Sequence, residues 1–140
     1  MSDATSGFPR RDEDGRIVRS ADLLGLVLVG VVIGVLALIL FDWTFALLGL
    51  GIFGQANGWL AVILPAWVFI EEFRAADRGP ARWAAAVVAF AVGIAAGLLG
   101  AATASSLSPL WSGAAGAAVF SLAYALIWFF GVRWLAHRTG

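Results

Sequence analysis

Two adjacent glutamates, Glu71 and Glu72, are the residues best suited to chemistry in this 140-residue chain. Paired carboxylates can share acid and base work, and two of them can hold a cation. They follow an apolar run that ends at Ile70, which places them at the inner mouth of whatever that run builds. Gln55 and Asn57 are the second candidate, because they are the strongly polar residues deep inside the same run. Polar groups within hydrocarbon are costly, and they line pathways or bridge helices. Their bland reading is an interhelical hydrogen bond or a plain turn. For the glutamates it is a solvated turn, paired with Arg74 or Arg78.

The other polar residues offer less. His137 is the single histidine and cannot build an imidazole metal site alone. Asp42 reads as a helix-end residue, and the Tyr124 hydroxyl is expected to find a partner in a helical core. With no cysteine, disulfides, thiolate metal sites and cysteine nucleophiles are excluded. No HExxH, GxSxG, GxGxxG or Walker A sequence is present. Glu71-Glu72 with Arg74 departs from the spacing used by CAAX-type intramembrane proteases, and no histidine motif follows. The expectation is no enzyme, no cofactor and no metal. A net charge of zero gives no footprint for nucleic acid.

The elements that must position these residues are apolar throughout. The hydrophobic fraction is 61%, charged residues are 13%, and the mean hydropathy is +0.92. A soluble domain of this size leaves too much surface wet to hide that composition, so the bilayer is its natural solvent. Spans are expected at about residues 23–41, 45–70, 83–104 and 111–135, each near the ~20 residues that cross ~30 Å of hydrocarbon. Ser20 or Asp22 can cap the first, and Asp42-Trp43-Thr44 breaks it from the second. Pro80 suits a first helical turn, and Ser105–Pro109 is a turn. Residues 1–20 read as a disordered cytoplasmic tail, 21–136 as the transmembrane domain, and 137–140 as a short tail.

Topology follows from the arginines. They lie at 10, 11, 16 and 19, at 74, 78 and 82, and at 133 and 138, and neither remaining turn holds one. The positive-inside rule then gives four spans with both termini cytoplasmic. All nine basic residues are Arg, a mark of GC-rich coding that suggests a prokaryotic cytoplasmic membrane. The expected fold is an all-α membrane protein, a four-transmembrane-helix bundle of two helical hairpins.

Trp59 does not fit, because it falls mid-span where interfacial tryptophans do not belong. Gly54-Gln55-Ala56-Asn57-Gly58 also looks like a turn. Two arrangements follow: a continuous tilted helix over 45–70, kinked at Pro65, or a re-entrant segment over 45–53 with the helix running past Glu72. The continuous helix is expected, because Trp59–Ile70 alone would rise only about 18 Å. Ala66-Trp67-Val68-Phe69 and Ile127-Trp128-Phe129-Phe130 look alike, which leaves room for a duplicated hairpin.

Small residues recur at four-residue spacing: Gly30 and Gly34, Gly54 and Gly58, Gly93 and Gly97, with Gly116 on the last span. Such faces let backbones approach closely. They serve either packing inside the bundle or an oligomer. The expected partners are the lipid bilayer and either copies of the chain or other membrane proteins. The functional expectation is an accessory or structural subunit. The alternative is an oligomeric small-solute transporter or channel, with Gln55 and Asn57 on its path.

Overall fold

The computed structural model describes residues 9–139, with side chains described through Leu135. It is all-helical: α1 (Ser20–Leu47), a 3-10 segment (Gly58–Val62), α2 (Ile63–Ala75), α3 (Pro80–Thr103) and α4 (Pro109–Thr139). Three of these, α1, α3 and α4, are long and apolar enough to cross a membrane. Half of the most apolar window of α4 is buried, against 22% for α1 and α3. α4 is therefore the central helix, and the other two turn most of their surface outward.

The expected continuous helix over 45–70 does not form. Asp42-Trp43-Thr44 is no break, and α1 runs through it to Leu47. Residues 48–57 are irregular, and regular α-helix resumes only at Ile63. Gly54 takes φ +97°, a left-handed conformation that suits glycine and turns the chain back. Pro65 lies in the first turn of α2, so it starts that helix rather than kinking a longer one.

The returning segment makes a close approach to α4. Gly58 lies against the backbone of α4 at Leu110 and Ala114, and a Cβ there would sit inside both. The opposing Gly113 is as tight, with a Cβ falling 2.7 Å from the Gly58 and Trp59 nitrogens. The Trp59 indole then reaches between α3 and α4, over Gly97 and Gly116. Trp59 is thus a wedge in the core, which resolves its misfit as an interfacial residue.

The other small-residue faces are also used inside the chain. A Cβ on Gly34 would lie 3.0 Å from the Ala61 Cα, and one on Gly30 would lie 3.2 Å from Pro65 Cδ. These contacts set α1 antiparallel to the 3-10 segment and α2. Gly93 lies under the Phe120 ring, and Gly97 meets the Gly116 carbonyl. The bundle is assembled by these faces, and Gly34 also lines a groove open at the surface.

Aromatic rings fill the interior between α2, α3 and α4. Phe69 stacks on Tyr124 at 4.1 Å, and Phe73 meets Trp83 edge-on at 4.8 Å. Trp128 is fully buried whereas Trp67 is 64% exposed, so the two look-alike segments occupy unlike environments and give no support to a duplication. Trp43, Trp83 and Trp134 are exposed, as rings at an interface would be.

The N-terminal segment is also revised where it is described. Arg11 bridges to Ile17 in antiparallel fashion around a tight turn. Asp12 Oδ1 accepts from the Asp14 and Arg16 amides, and Val18 N donates to Arg10 O. Ile17 is fully buried against the helices. Residues 10–18 therefore form a strap packed against the helices. Neither Ser20 nor Asp22 caps α1, whose N-cap is Arg19 without a side-chain bond.

Gly58→Ala should cost about 1–3 kcal/mol, because a methyl group enters a packed backbone contact. Gly51, with open space around it, is the control, and Gly51→Ala should stay within about 0.5 kcal/mol. Unfolding in mixed micelles measures both, and equal stability of the two variants would refute the close approach.

Candidate functional site

The two glutamates point in different directions. Glu71 is exposed, and its Oε1 accepts the Trp67 indole N–H at 3.0 Å. Glu72 is buried, 3% exposed, at the arginine-bearing end of the bundle. They do not form a carboxylate pair, and acid–base or cation chemistry shared between them has no geometry. Among the described residues no group of three or more histidines, cysteines or carboxylates could hold a metal.

Glu72 instead organises a polar lock. Its Oε2 accepts the Ile17 N–H at 3.2 Å, and the Trp128 indole also hydrogen-bonds it. The Ile17 carbonyl accepts from Arg133 Nη2, and Arg133 Nη1 donates to Phe129 O at 3.1 Å. The Arg133 guanidinium lies 3.6 Å from the Phe129 ring centroid. One strap residue therefore joins α2 to α4 through both of its backbone groups. The charges of Arg133 and Arg11 act on Glu72 from nearby, and these with the two donors offset part of the cost of its burial, which remains the largest effect on the carboxyl.

Two further contacts hold the strap. Asp22 in the first turn of α1 accepts the Arg10 N–H at 3.0 Å. Arg16 approaches Asp77 at 3.8 Å, but the Asp77 side chain is 79% exposed, so that pair adds little. The strap thus ties α1, α2 and α4 together at one end. The sequence carried two signals for it: Ile17-Val18, an apolar pair amid charges, and the turn residues Asp12 and Gly15.

A second buried carboxylate organises the opposite end. Asp42 Oδ2 accepts from Gly54 N at 2.6 Å and more weakly from Ala56 N at 3.4 Å. The Gly54 carbonyl accepts from Leu110 N at 3.1 Å, which joins this loop to the start of α4. Asp42 was read as a plain helix-end residue, yet its side chain folds the returning chain onto α1.

Gln55 and Asn57 sit in that loop, and both are exposed. Asn57 Oδ1 accepts the Trp59 N–H at 3.0 Å and so caps the 3-10 segment. They lie at the end of the bundle, near Asp42 and the α3–α4 turn. The expectation of a polar pair inside a continuous helix is corrected accordingly, because the helix that would have carried them does not exist. The His137 side chain lies outside the described residues.

Shallow grooves open on the outer surface. One of 380 Å³ between α1 and the second segment is lined by Ile33, Leu38, Phe41, Leu60 and Ile63 among others. Another of 420 Å³ lies between α2 and α3, over Tyr124. Both linings are apolar apart from Arg74 at the end of the second.

No family model, curated protein or solved structure matches the chain.

Replacing Glu72 with Ala strands the Ile17 amide and uncompensates Arg133, and should cost about 3 kcal/mol. Arg133→Ala should cost a similar amount. The double variant should fall short of their sum by about 0.5–3 kcal/mol, as coupled groups do. Trypsin should cut the strap at Arg10, Arg11, Arg16 and Arg19 faster in each variant. Additive losses with unchanged cleavage would refute the lock.

Proposed function

We propose that the protein is a four-crossing membrane protein of a prokaryotic cytoplasmic membrane, with both termini inside. In this reading the second crossing is composite. The 13 residues of α2 rise about 20 Å, and the five of the 3-10 segment add about 10 Å. Together they match the ~30 Å of a bilayer core. The Gly34–Ala61 and Gly30–Pro65 contacts support this, since they run the composite segment alongside α1. Arg16, Arg82 and Arg133 gather at the end marked by Glu72 and Phe73, and that is the end the positive-inside rule puts in the cytoplasm.

Its role in this reading is that of an accessory or structural subunit, assembling with itself or with other membrane proteins. The observation that carries it is the filled interior. Trp59, Phe120 and Trp128 occupy the space where a solute would pass, and the glycine faces close around them. What is left for partners is the outer surface. Its most exposed part is the segment around Leu47, Leu48, Leu50 and Ile52, each at least 66% exposed. The transporter alternative rests on Gln55 and Asn57, and their exposed position at the bundle's end gives it no support.

The chain has no cysteine, so single cysteines report cleanly. With an impermeant maleimide on intact cells, Ser106→Cys should label directly and Asp77→Cys only after lysis. Labelling of both from one side would refute the topology. A photo-crosslinker at Leu50 should give a discrete adduct in native membranes. A protein that crosslinks to nothing there and purifies alone as a monomer would sink the subunit reading.

A further inference from the structure

We propose that the groove between α2 and α3 is a binding site for an anionic phospholipid, its chain lying along the groove and its phosphate held by Arg74 at the groove's end, with Arg78 on the loop that follows. The groove has two contiguous parts, of 420 and 340 Å³, which share Trp83, Ala86 and Tyr124. One part reaches Phe73 and Arg74, and the other continues along α3 to Phe90. It is therefore an elongated apolar trough with a cation at one end. That shape and polarity match a lipid, whose phosphate sits at the interface and whose chain runs inward.

Trp83 and Phe90 on its wall are both more than half exposed. α2 and α3 touch where Phe73 meets Trp83, and the floor of the groove is supplied by Tyr124 of α4. A lipid chain there would complete a packing layer that the protein leaves open.

The one charged residue lining the groove, Arg74, is exposed and not engaged in an ion pair among the described residues. Arg78 is also exposed and forms no ion pair among them. Arg82 lies over the Phe73 ring at 4.4 Å and donates Nη1 to the Phe73 carbonyl. Its Nε is buried without a hydrogen-bond partner, although buried donors are nearly always satisfied. An acceptor arriving at this mouth would meet the exposed Arg74 guanidinium, with that of Arg78 four residues further along the chain. Guanidinium forks suit phosphate oxygens, and basic pockets between helices at the cytoplasmic side recognise anionic headgroups. Phosphate is the shared chemistry of a lipid headgroup and a free anion, and the apolar trough selects the lipid.

The inference rests on residence in a membrane, but not on the subunit role. It is tested on the full chain, delipidated in mild detergent and titrated with phosphatidylglycerol or phosphatidylcholine, with bound lipid counted by native mass spectrometry. Wild type should retain phosphatidylglycerol in preference. Arg74→Gln with Arg78→Gln should remove that preference, by about fivefold for each charge. Ala86→Phe keeps every charge but fills the trough, and should lower retention of both lipids. Glycerol phosphate and inorganic phosphate, lacking chains, should not compete at equal concentration. Thermal unfolding of each variant, at wild-type temperature, establishes that the bundle is intact. If a variant unfolds early, Ala86→Leu or single arginine changes replace it. Equal retention of the two lipids by wild type, retention by folded Ala86→Phe equal to wild type, or displacement by free phosphate would each overturn the site. Failure of the topology labelling would be read separately, because it does not depend on lipid binding.

Discussion

The bundle is built around the backbone contact of Gly58 with Gly113 and the Trp59 ring that follows it. Between these glycines two main chains come closer than side chains permit. The chain meets α4 there as a 3-10 segment and enters α2 only at Ile63. Trp59 then spans from this segment to α3 and α4 at once, over Gly97 and Gly116. One side chain sets the spacing of three elements, and the small residues beneath it have their sizes dictated by it.

Leaving the helix at the end of the bundle frees backbone groups that need partners. The structure supplies them locally. Asp42 takes the Gly54 amide, Asn57 takes the Trp59 amide, and Leu110 donates to the Gly54 carbonyl. The arginine-bearing end uses the same device in the opposite sense, since Glu72 and Arg133 grip the amide and carbonyl of Ile17. Each buried charge therefore fastens non-helical backbone to the helices. This accounts for carboxylates in an otherwise apolar chain without assigning them any catalytic work.

Long apolar runs made α1, α3 and α4 legible, because length and hydropathy are local properties. The second segment was harder. Its turn dipeptides and the misplaced Trp59 both pointed to a break, yet the rise of residues 59–70 as α-helix looked too short to cross. That estimate stopped at Ile70, whereas α2 runs on through the glutamates to Ala75, and the rise of about 2.0 Å per residue in the 3-10 segment adds a little more. The glycine faces were legible as packing surfaces, but not their targets, since spacing does not say which helix lies opposite. Glu71 and Glu72 could not be told apart, because one face of α2 becomes interior only once α4 and the strap are known. The strap itself was hidden by its charges, which suit disorder by composition while Asp12 and Gly15 spell a tight turn.

Where the small residues end up also limits how such a protein can choose partners. Hydrocarbon tails are as apolar as leucine, so helices in lipid gain nothing from burying apolar surface against each other. Specific association then needs close backbone approach, hydrogen bonds or charge. The glycines are spent on internal contacts, and the outward face of α1 offers Leu28, Val32, Leu36 and Leu40, all about half exposed or more. That surface is difficult to distinguish from lipid. Under the proposed subunit reading, recognition would concentrate at the ends of the bundle: the arginine-rich end with its strap, and the apolar segment after α1 at the other. Those two regions, rather than the middle of any helix, would then be where selection between one neighbour and another acts.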